Sequence, residues 1–215
     1  MKDFPVFTTE FGVASLTLKE IPYREEAYIT LRCVAEGMLP ELIGECRSFC
    51  RMAGAERIYA SHWEGMEGFP VHTAVLQMRG VACPDPEKIR SLFPVTEATV
   101  TRWREIYNQR MRLVDNAATM ERRDEARILE KPGAYFVHDH GALLGIGWME
   151  DETLLAVASA KPGAGEEVMH TLLSLVEGSC VTLEVASTNA RAIRLYERLG
   201  FVSVGESGRW YRVSG

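Results

Sequence analysis

Apolar residues at Leu39, Leu42, Ile43, Cys46, Phe49, Cys50 and Ala53 recur every three or four positions, which predicts one helix over 39–53 with a single buried stripe. Pro40 stands in its first turn and Gly54 just beyond its end, the usual asymmetry of helix boundaries. Two-residue alternation around it predicts strands over 13–19, 27–33, 57–61 and 72–79, with a loop over 62–70. Pro84, Pro86 and Pro94 then punctuate residues 81–97; with no low-complexity run, this stretch reads as an ordered linker.

The pattern changes beyond it. Trp103, Ile106, Tyr107, Leu113 and Val114 predict a helix over 103–114, and a weakly amphipathic helix follows over 120–130, stopped by Pro132-Gly133. Strands are predicted over 135–140, 142–149 and 153–160. The loop Lys161-Pro162-Gly163-Ala164-Gly165 leads into a helix over 166–177 that buries Val168, Met169, Leu172, Leu173, Leu175 and Val176. A strand over 180–186, a helix over 189–199 ended by Gly200, and a pair of strands over 201–205 and 209–213 complete the chain. A meander running into β-α-β-α order predicts an α/β protein with a mixed sheet and helices on both faces, 153–186 forming one parallel crossover. Three regions result: an N-terminal α/β part over 1–80, the linker over 81–97, and a domain over 98–215. The strand-helix-strand order of the first part echoes that of the last. It reads either as a degenerate half-repeat or as an unrelated α+β cap.

Composition narrows the class. Hydrophobic residues make up 47% and charged residues 25% of the 215, enough apolar content for a packed core and too much for a disordered chain. The net charge of -6 disfavours nucleic acid or an anionic membrane as partner. No segment reaches the roughly 18 to 20 apolar residues of a membrane-spanning helix, and residues 1–5 lack the apolar run of a secretory signal. Five cysteines without a C-x-x-C pair do not form a disulfide framework, so the chain reads as cytoplasmic, with Cys46 and Cys50 as buried small hydrophobes. His138 and His140 share one strand face but lack a third ligand at suitable spacing, so no metal is expected. Cys180 has no nearby His to activate it. Arg122, Arg123 and Arg127 form either a solvated face or part of a binding pocket.

The stretch from Leu183 to Phe201, LEVASTNARAIRLYERLGF, carries the candidate chemistry. Ala192, Leu195 and Leu199 form its apolar stripe, and Tyr196 lies at the stripe's edge. Along the preceding strand Thr182, Glu184 and Ala186 face one side, and Val181, Leu183 and Val185 the other. The segment resembles the most diagnostic part of the GNAT acetyltransferase superfamily, and its Glu184, Asn189, Tyr196 spacing is similar to that of enzymes acetylating ribosomal-protein N-termini. The resemblance covers about residues 98–213.

It implies direct transfer of an acetyl group from acetyl-CoA to a primary amine of a small molecule or peptide, by a monomer or homodimer. Tyr196 would protonate the departing CoA sulfur, a phenol of pKa about 10 giving its proton to a thiolate of pKa about 8.5. Glu184 would take a proton from the ammonium through water, helped by a partly dry cleft that raises its pKa. Asn189 would contact the CoA arm. Ala156, Val157 and Ala158 would pair with the pantetheine, and Gly163, Ala164 and Gly165 would hold the pyrophosphate at a helix N-terminus. Without the resemblance, Tyr196 reads as a half-buried core aromatic, Asn189 as a cap and Glu184 as a strand-edge or salt-bridged residue. The chain departs from the family's pattern at the phosphate loop: Lys161 is its lone base, and Glu166 and Glu167 stand where the pyrophosphate would approach. That departure leaves room for a rival, a non-catalytic acyl-CoA-binding or protein-interaction module on the same fold.

Overall fold

The structure, a computed structural model, describes residues 5–214; residues 1–4, read above as lacking an apolar run, lie outside them. The chain runs in order through β1 (Val6–Thr9), β2 (Gly12–Thr17), α1 (Ile21–Arg24), β3 (Glu26–Val34), α2 (Leu39–Met52), β4 (Arg57–Ser61), β5 (Val71–Val81) and β6 (Ser91–Pro94). It continues through α3 (Val100–Met111), α4 (Glu125–Glu130), β7 (Ala134–Asp139), β8 (Ala142–Glu150), β9 (Thr153–Ser159), α5 (Gly165–Leu173), β10 (Cys180–Ala186), α6 (Ala190–Arg198) and β11 (Val202–Arg212). Among the described residues no helix is long and apolar enough to cross a membrane.

Two compact units result. The first takes the chain up to Ala74 and again from Ser207; the second is Val75–Glu206. The boundary therefore falls inside β5 and β11, not at residues 81–97. Those residues belong to the second unit, where β6 pairs antiparallel with β7 from Ser91↔His138 to Pro94↔Tyr135. Prolines at a sheet edge cost no ladder bond, which is why a Pro-punctuated stretch supplies an edge strand.

In the first unit β1, β2 and β3 form an antiparallel meander. The β3-α2-β4 crossover follows, its strands parallel and paired at five positions from Glu26↔Arg57 to Thr30↔Ser61. The end of β11 closes the sheet against β4, Tyr211 opposite Ala60. Leu42, Ile43, Cys46 and Cys50 of α2 are buried against Leu16, Ile29 and Ile58. Burial pushes the Cys46 and Cys50 thiols up, to about 12 and about 11.

The second unit repeats that plan. β6, β7, β8 and β9 form a meander, the β9-α5-β10 crossover is parallel, and β5 closes the sheet against β10 at seven positions from Cys180↔Val81 to Ala186↔Val75. Alternate strand residues feed opposite faces. Val137, Leu154 and Leu183 join Val168, Met169 and Leu172 of α5. Phe136, Ile146 and Trp148 join Trp103, Ile106 and Tyr107 of α3. The close approach of α5 depends on Gly147, where a Cβ would fall 2.2 Å from Leu172 Cδ1.

Several elements depart from their predicted bounds. The helix predicted over 103–114 starts at Val100 and ends at Met111, leaving Leu113 93% exposed. The one predicted over 120–130 is a 3-10 turn, Arg122–Asp124, running into α4. That over 166–177 tightens into a 3-10 turn after Leu173, which turns Leu175 outward. The expected final pair of strands is one strand, β11, because neither Gly205 nor Gly208 adopts the positive φ of a turn.

Residues 75–81 pair along the whole of β10, and Met78 is 1% exposed in the core. A chain beginning at residue 98 lacks both, and is expected to show no cooperative thermal transition by circular dichroism. Met78→Ala in the full chain should cost about 2 to 5 kcal/mol in a denaturant titration.

Candidate active site

β9 and β10 start as a parallel pair, Thr153↔Thr182 and Leu154↔Leu183, and then part: no further rung joins them. β9 stays bonded to β8 through Gly147↔Val157 and Ile146↔Ala158, and β10 stays bonded to β5. The backbone N–H and C=O groups along β9's inner edge, at Ala156, Val157 and Ala158, are thus left for water or a ligand. The gap opens a cleft of about 1000 Å³, whose wall carries these residues together with Glu184, Asn189 and Tyr196. The structure therefore brings together the residues that sequence singled out on β9, β10 and α6.

The loop after β9 closes one end. Gly163 has φ 88°, a left-handed conformation that favours glycine, and Ala164 caps α5. The first N–H groups of α5 have no partner within the helix, and the helix dipole favours an anion there. Glu166, in that first turn, is met by Lys88, whose Nζ lies 2.6 Å from Oε1. This hydrogen bond holds the Glu166 carboxyl below the usual carboxylate range and the Lys88 ammonium above its own. Lys88 ends a 3-10 turn, Pro86–Lys88, so the stretch read as a linker supplies the loop's counter-charge. The same stretch is tied to α5 twice more. The Asp85 N–H donates to His170 Nδ1 at 3.0 Å, and the Arg90 N–H donates to Thr171 Oγ1 at 2.9 Å. Burial pushes the His170 pKa down, with Lys88 adding to the effect.

Tyr196 is 6% exposed, its ring centroid 6.2 Å from that of Phe201, yet it lines the cleft. Burial raises its pKa to about 12, so the phenol keeps its proton at neutral pH. Asn189 is the N-cap of α6: its Oδ1 accepts the Ala192 N–H at 3.2 Å, which leaves the amide N–H₂ for a ligand. Glu184 is solvent-exposed on β10, opposite Gln77, so the partly dry surroundings expected of a base are not found around it.

Other candidates fall elsewhere. His138 packs edge-on against Phe93, 5.1 Å between centroids, while His140 projects from the β7–β8 turn at φ 46°. Arg127 lies over the Trp148 ring at 5.3 Å, and Arg123 pairs with Glu121 at 2.6 Å. Neither lines the cleft, nor does Arg122. Sequence reasoning missed Arg191, Arg194 and Arg198, which do line it. Their i, i+3, i+7 spacing on a helix was the available signal, hidden beside the apolar stripe of the same helix.

The second unit's mixed sheet with helices on both faces, whose parallel pair β9–β10 parts beside the N-terminus of α5, has the GNAT class of acyltransferase fold. Residues 100–201 match the Acetyltransferase (GNAT) family. A 53-residue stretch is 43% identical to the N-alpha-acetyltransferase RimI of Mycobacterium tuberculosis, covering 25% of this chain and 34% of that protein. The match thus spans about a third of the relative's length. Among solved structures, a GCN5-related N-acetyltransferase from Anabaena variabilis aligns with a TM-score of 0.59 at 12% identity, over 86% of this chain and 54% of its own. A tandem GNAT protein from the clavulanic acid biosynthesis pathway aligns with a TM-score of 0.51 at 15% identity, over 95% of this chain and 79% of its own. At these identities the likeness is one of fold.

The His170 network makes stability depend on pH. Because the folded state lowers this histidine's pKa, the unfolded chain binds the proton first, and stability present above about pH 6.5 is lost as pH falls. The melting temperature should drop between pH 7 and pH 5, and drop less in His170→Asn, where an amide oxygen can still accept the Asp85 N–H.

Proposed function

We propose that the protein is an acetyl-CoA-dependent N-acetyltransferase that moves the acetyl group directly to a primary amine of a small molecule or peptide. The parting of β9 from β10 carries this reading. A pantetheine arm, itself a chain of amides, can pair with the free edge at Ala156, Val157 and Ala158 as an added strand. The pyrophosphate would then meet the loop at Gly163, Ala164 and Gly165 and the first turn of α5. The Lys88–Glu166 pair supports this placement by offsetting the acidic charge there.

In the reaction the amine nitrogen bonds to the thioester carbonyl carbon and the C–S bond breaks. The sulfur leaves with the bond's electrons and takes the proton of Tyr196, and the second proton that the nitrogen sheds on forming the amide returns through water to the Tyr196 oxygen. The ammonium proton leaves to water, with Glu184 as the carboxylate placed to receive it, and Asn189 orients the arm through its amide N–H₂. Holding both reactants in place supplies about 7 to 11 kcal/mol of such a barrier. The RimI similarity favours an amine at a peptide N-terminus among the candidate acceptors. The β3-α2-β4 plan of the first unit, and the likeness to a tandem GNAT protein, support reading that unit as a degenerate half-repeat. Its parallel strands stay paired through five rungs, so it offers no comparable opening and is assigned no catalysis. The free cysteines support a reducing, cytoplasmic setting.

A second reading, a non-catalytic acyl-CoA-binding or protein-interaction module, is favoured by the exposure of Glu184. Titration with acetyl-CoA followed by turnover on a panel of amines and peptides separates the two: saturable binding with no turnover on any acceptor supports the module.

Tyr196→Phe should lower kcat by about 10² to 10⁴ and leave the acetyl-CoA Kd near that of wild type; an unchanged kcat removes Tyr196 from the chemistry. Lys88→Gln should weaken acetyl-CoA binding severalfold by baring Glu166 to the pyrophosphate, and adding Glu166→Gln should restore it, as read by calorimetry.

A further inference from the structure

The first unit has a groove of its own. It runs between the β1–β2 hairpin and α2, has a volume of about 780 Å³, and is lined only by residues of 7–11 and of α2. Glu41, Gly44, Glu45, Ser48 and Met52 fall at i, i+3, i+4, i+7 and i+11, along one flank of α2 beside its buried stripe. Gly44 leaves the floor open: a Cβ there would meet nothing within 4 Å. The two ends of the groove differ in chemistry. A Cβ on Gly12 would fall 2.8 Å from Leu42 Cδ2, so the hairpin turn, and Glu10 with it, stands beside the first half of α2, where Glu41 and Glu45 are. At the other end Phe7 packs on Phe49, 5.3 Å between ring centroids, and Met52 is 79% exposed.

The acidic end is not neutralised from within. Among the described residues Glu10, Glu41 and Glu45 form no ion pair. The helix dipole accounts for Glu41, in the first turn of α2, but not for Glu45 or Glu10. Neither arginine of α2 lines the groove, and Arg47 donates to the Val213 carbonyl at 3.4 Å.

A free strand edge runs beside this groove. β1 is the outermost strand and pairs with β2 alone. The Leu16 N–H donates to the Pro5 carbonyl at 2.9 Å. Antiparallel bonding alternates from there, so Phe7 and Thr9 bond to β2, and the N–H and C=O groups of Val6 and Thr8 point away from it. Edge strands are commonly guarded by a charged side chain or an internal proline. β1, with the sequence VFTT, has neither. A strand so short offers few backbone bonds, so a ligand needs the groove as well as the edge.

We propose that this groove docks an extended segment of a partner protein, which adds as a strand to β1 and carries basic residues at one end and large apolar residues at the other. The basic residues meet Glu10, Glu41 and Glu45, and the apolar ones meet Phe7, Phe49 and Met52. Main-chain pairing with an edge, with side chains sorted by the groove beside it, is an established way of holding a peptide. Charge argues against a second copy of this chain as occupant, because two such edges brought together would set the same carboxylates against each other. The assignment gives the first unit a binding role that does not depend on the acetyltransferase reading.

The test is fluorescence anisotropy of the full chain with a short labelled peptide, one half alternating lysine with threonine, the other carrying leucine and phenylalanine. Two counterparts accompany it: one has glutamine for each lysine, and the other has alternate backbone amides methylated, so that it cannot pair as a strand. Wild type should bind the lysine peptide saturably and each counterpart about tenfold more weakly. Gly44→Gln fills the floor of the groove. Because glutamine favours a helix over glycine, this variant should melt no lower than wild type, yet it should bind the lysine peptide at least about tenfold more weakly. In NMR hydrogen exchange the peptide should slow the Val6 and Thr8 amide protons and leave that of Phe7 unchanged. No saturable binding by wild type overturns the proposal, as does binding that the glutamine counterpart matches, that leaves Val6 and Thr8 exchange unchanged, or that Gly44→Gln retains in full. Dimerisation of wild type that Gly44→Gln abolishes gives the groove to a second copy and overturns it too.

Discussion

Everything at the site follows from two hydrogen-bonded strands that stop bonding. β9 and β10 share rungs only at Thr153↔Thr182 and Leu154↔Leu183, and their separation is held from both sides. β10 is kept on its line by seven pairs with β5, and β9 by its ladder to β8, whose Gly147 lets α5 settle against the sheet. At β9's far end Arg110 of α3 donates to the Ala160 carbonyl. An unpaired strand edge inside a fold is costly unless something satisfies it, and the backbone groups along 156–158 that point away from β8 have only water or a ligand to do so. The first unit shows what the same plan gives when pairing continues: β3 and β4 remain joined through five rungs, and no gap opens between them.

Electrostatics completes the site with residues from distant parts of the chain. Glu166 would repel a polyphosphate if left bare, and the carboxyl also stabilises the first turn of its helix. Lys88, 78 residues away in sequence, lets it do the second without the first. The turn that delivers Lys88 is itself fixed to α5 by His170 and Thr171, so the counter-charge is carried on a tied segment and not on a loose side chain alone.

Much of this was legible in the sequence, and the exceptions have physical causes. α2 begins where its apolar stripe begins, and β4 and β10 match their predicted ranges, because alternation and helical spacing there are unbroken. β1 was not anticipated: four residues, two of them threonine, are too few to show a period. β6 was hidden by proline, a residue that an edge strand tolerates. β11 is one strand where alternation predicts two, because Gly205 and Gly208 keep an extended backbone through the gap between the predicted pair. Of the site, Tyr196, Asn189 and the β9 edge could be named from one dense segment and its neighbours. Glu184 could be named too, but its exposure depends on the gap and not on alternation. Lys88 could not be named at all, since nothing local ties it to Glu166.

The division of the chain inside β5 and β11 also bears on how the protein is made. The first unit is not whole when its two helices and first four strands have been synthesised; β4 keeps an unpaired edge until Tyr211 and Arg212, which follow the whole of the second unit in sequence, have left the ribosome. An open strand edge of that kind is a template for pairing with other chains. The N-terminal unit therefore completes its sheet only after the whole of the second unit has been synthesised, and the order of synthesis is the reverse of the order in which the two units become complete.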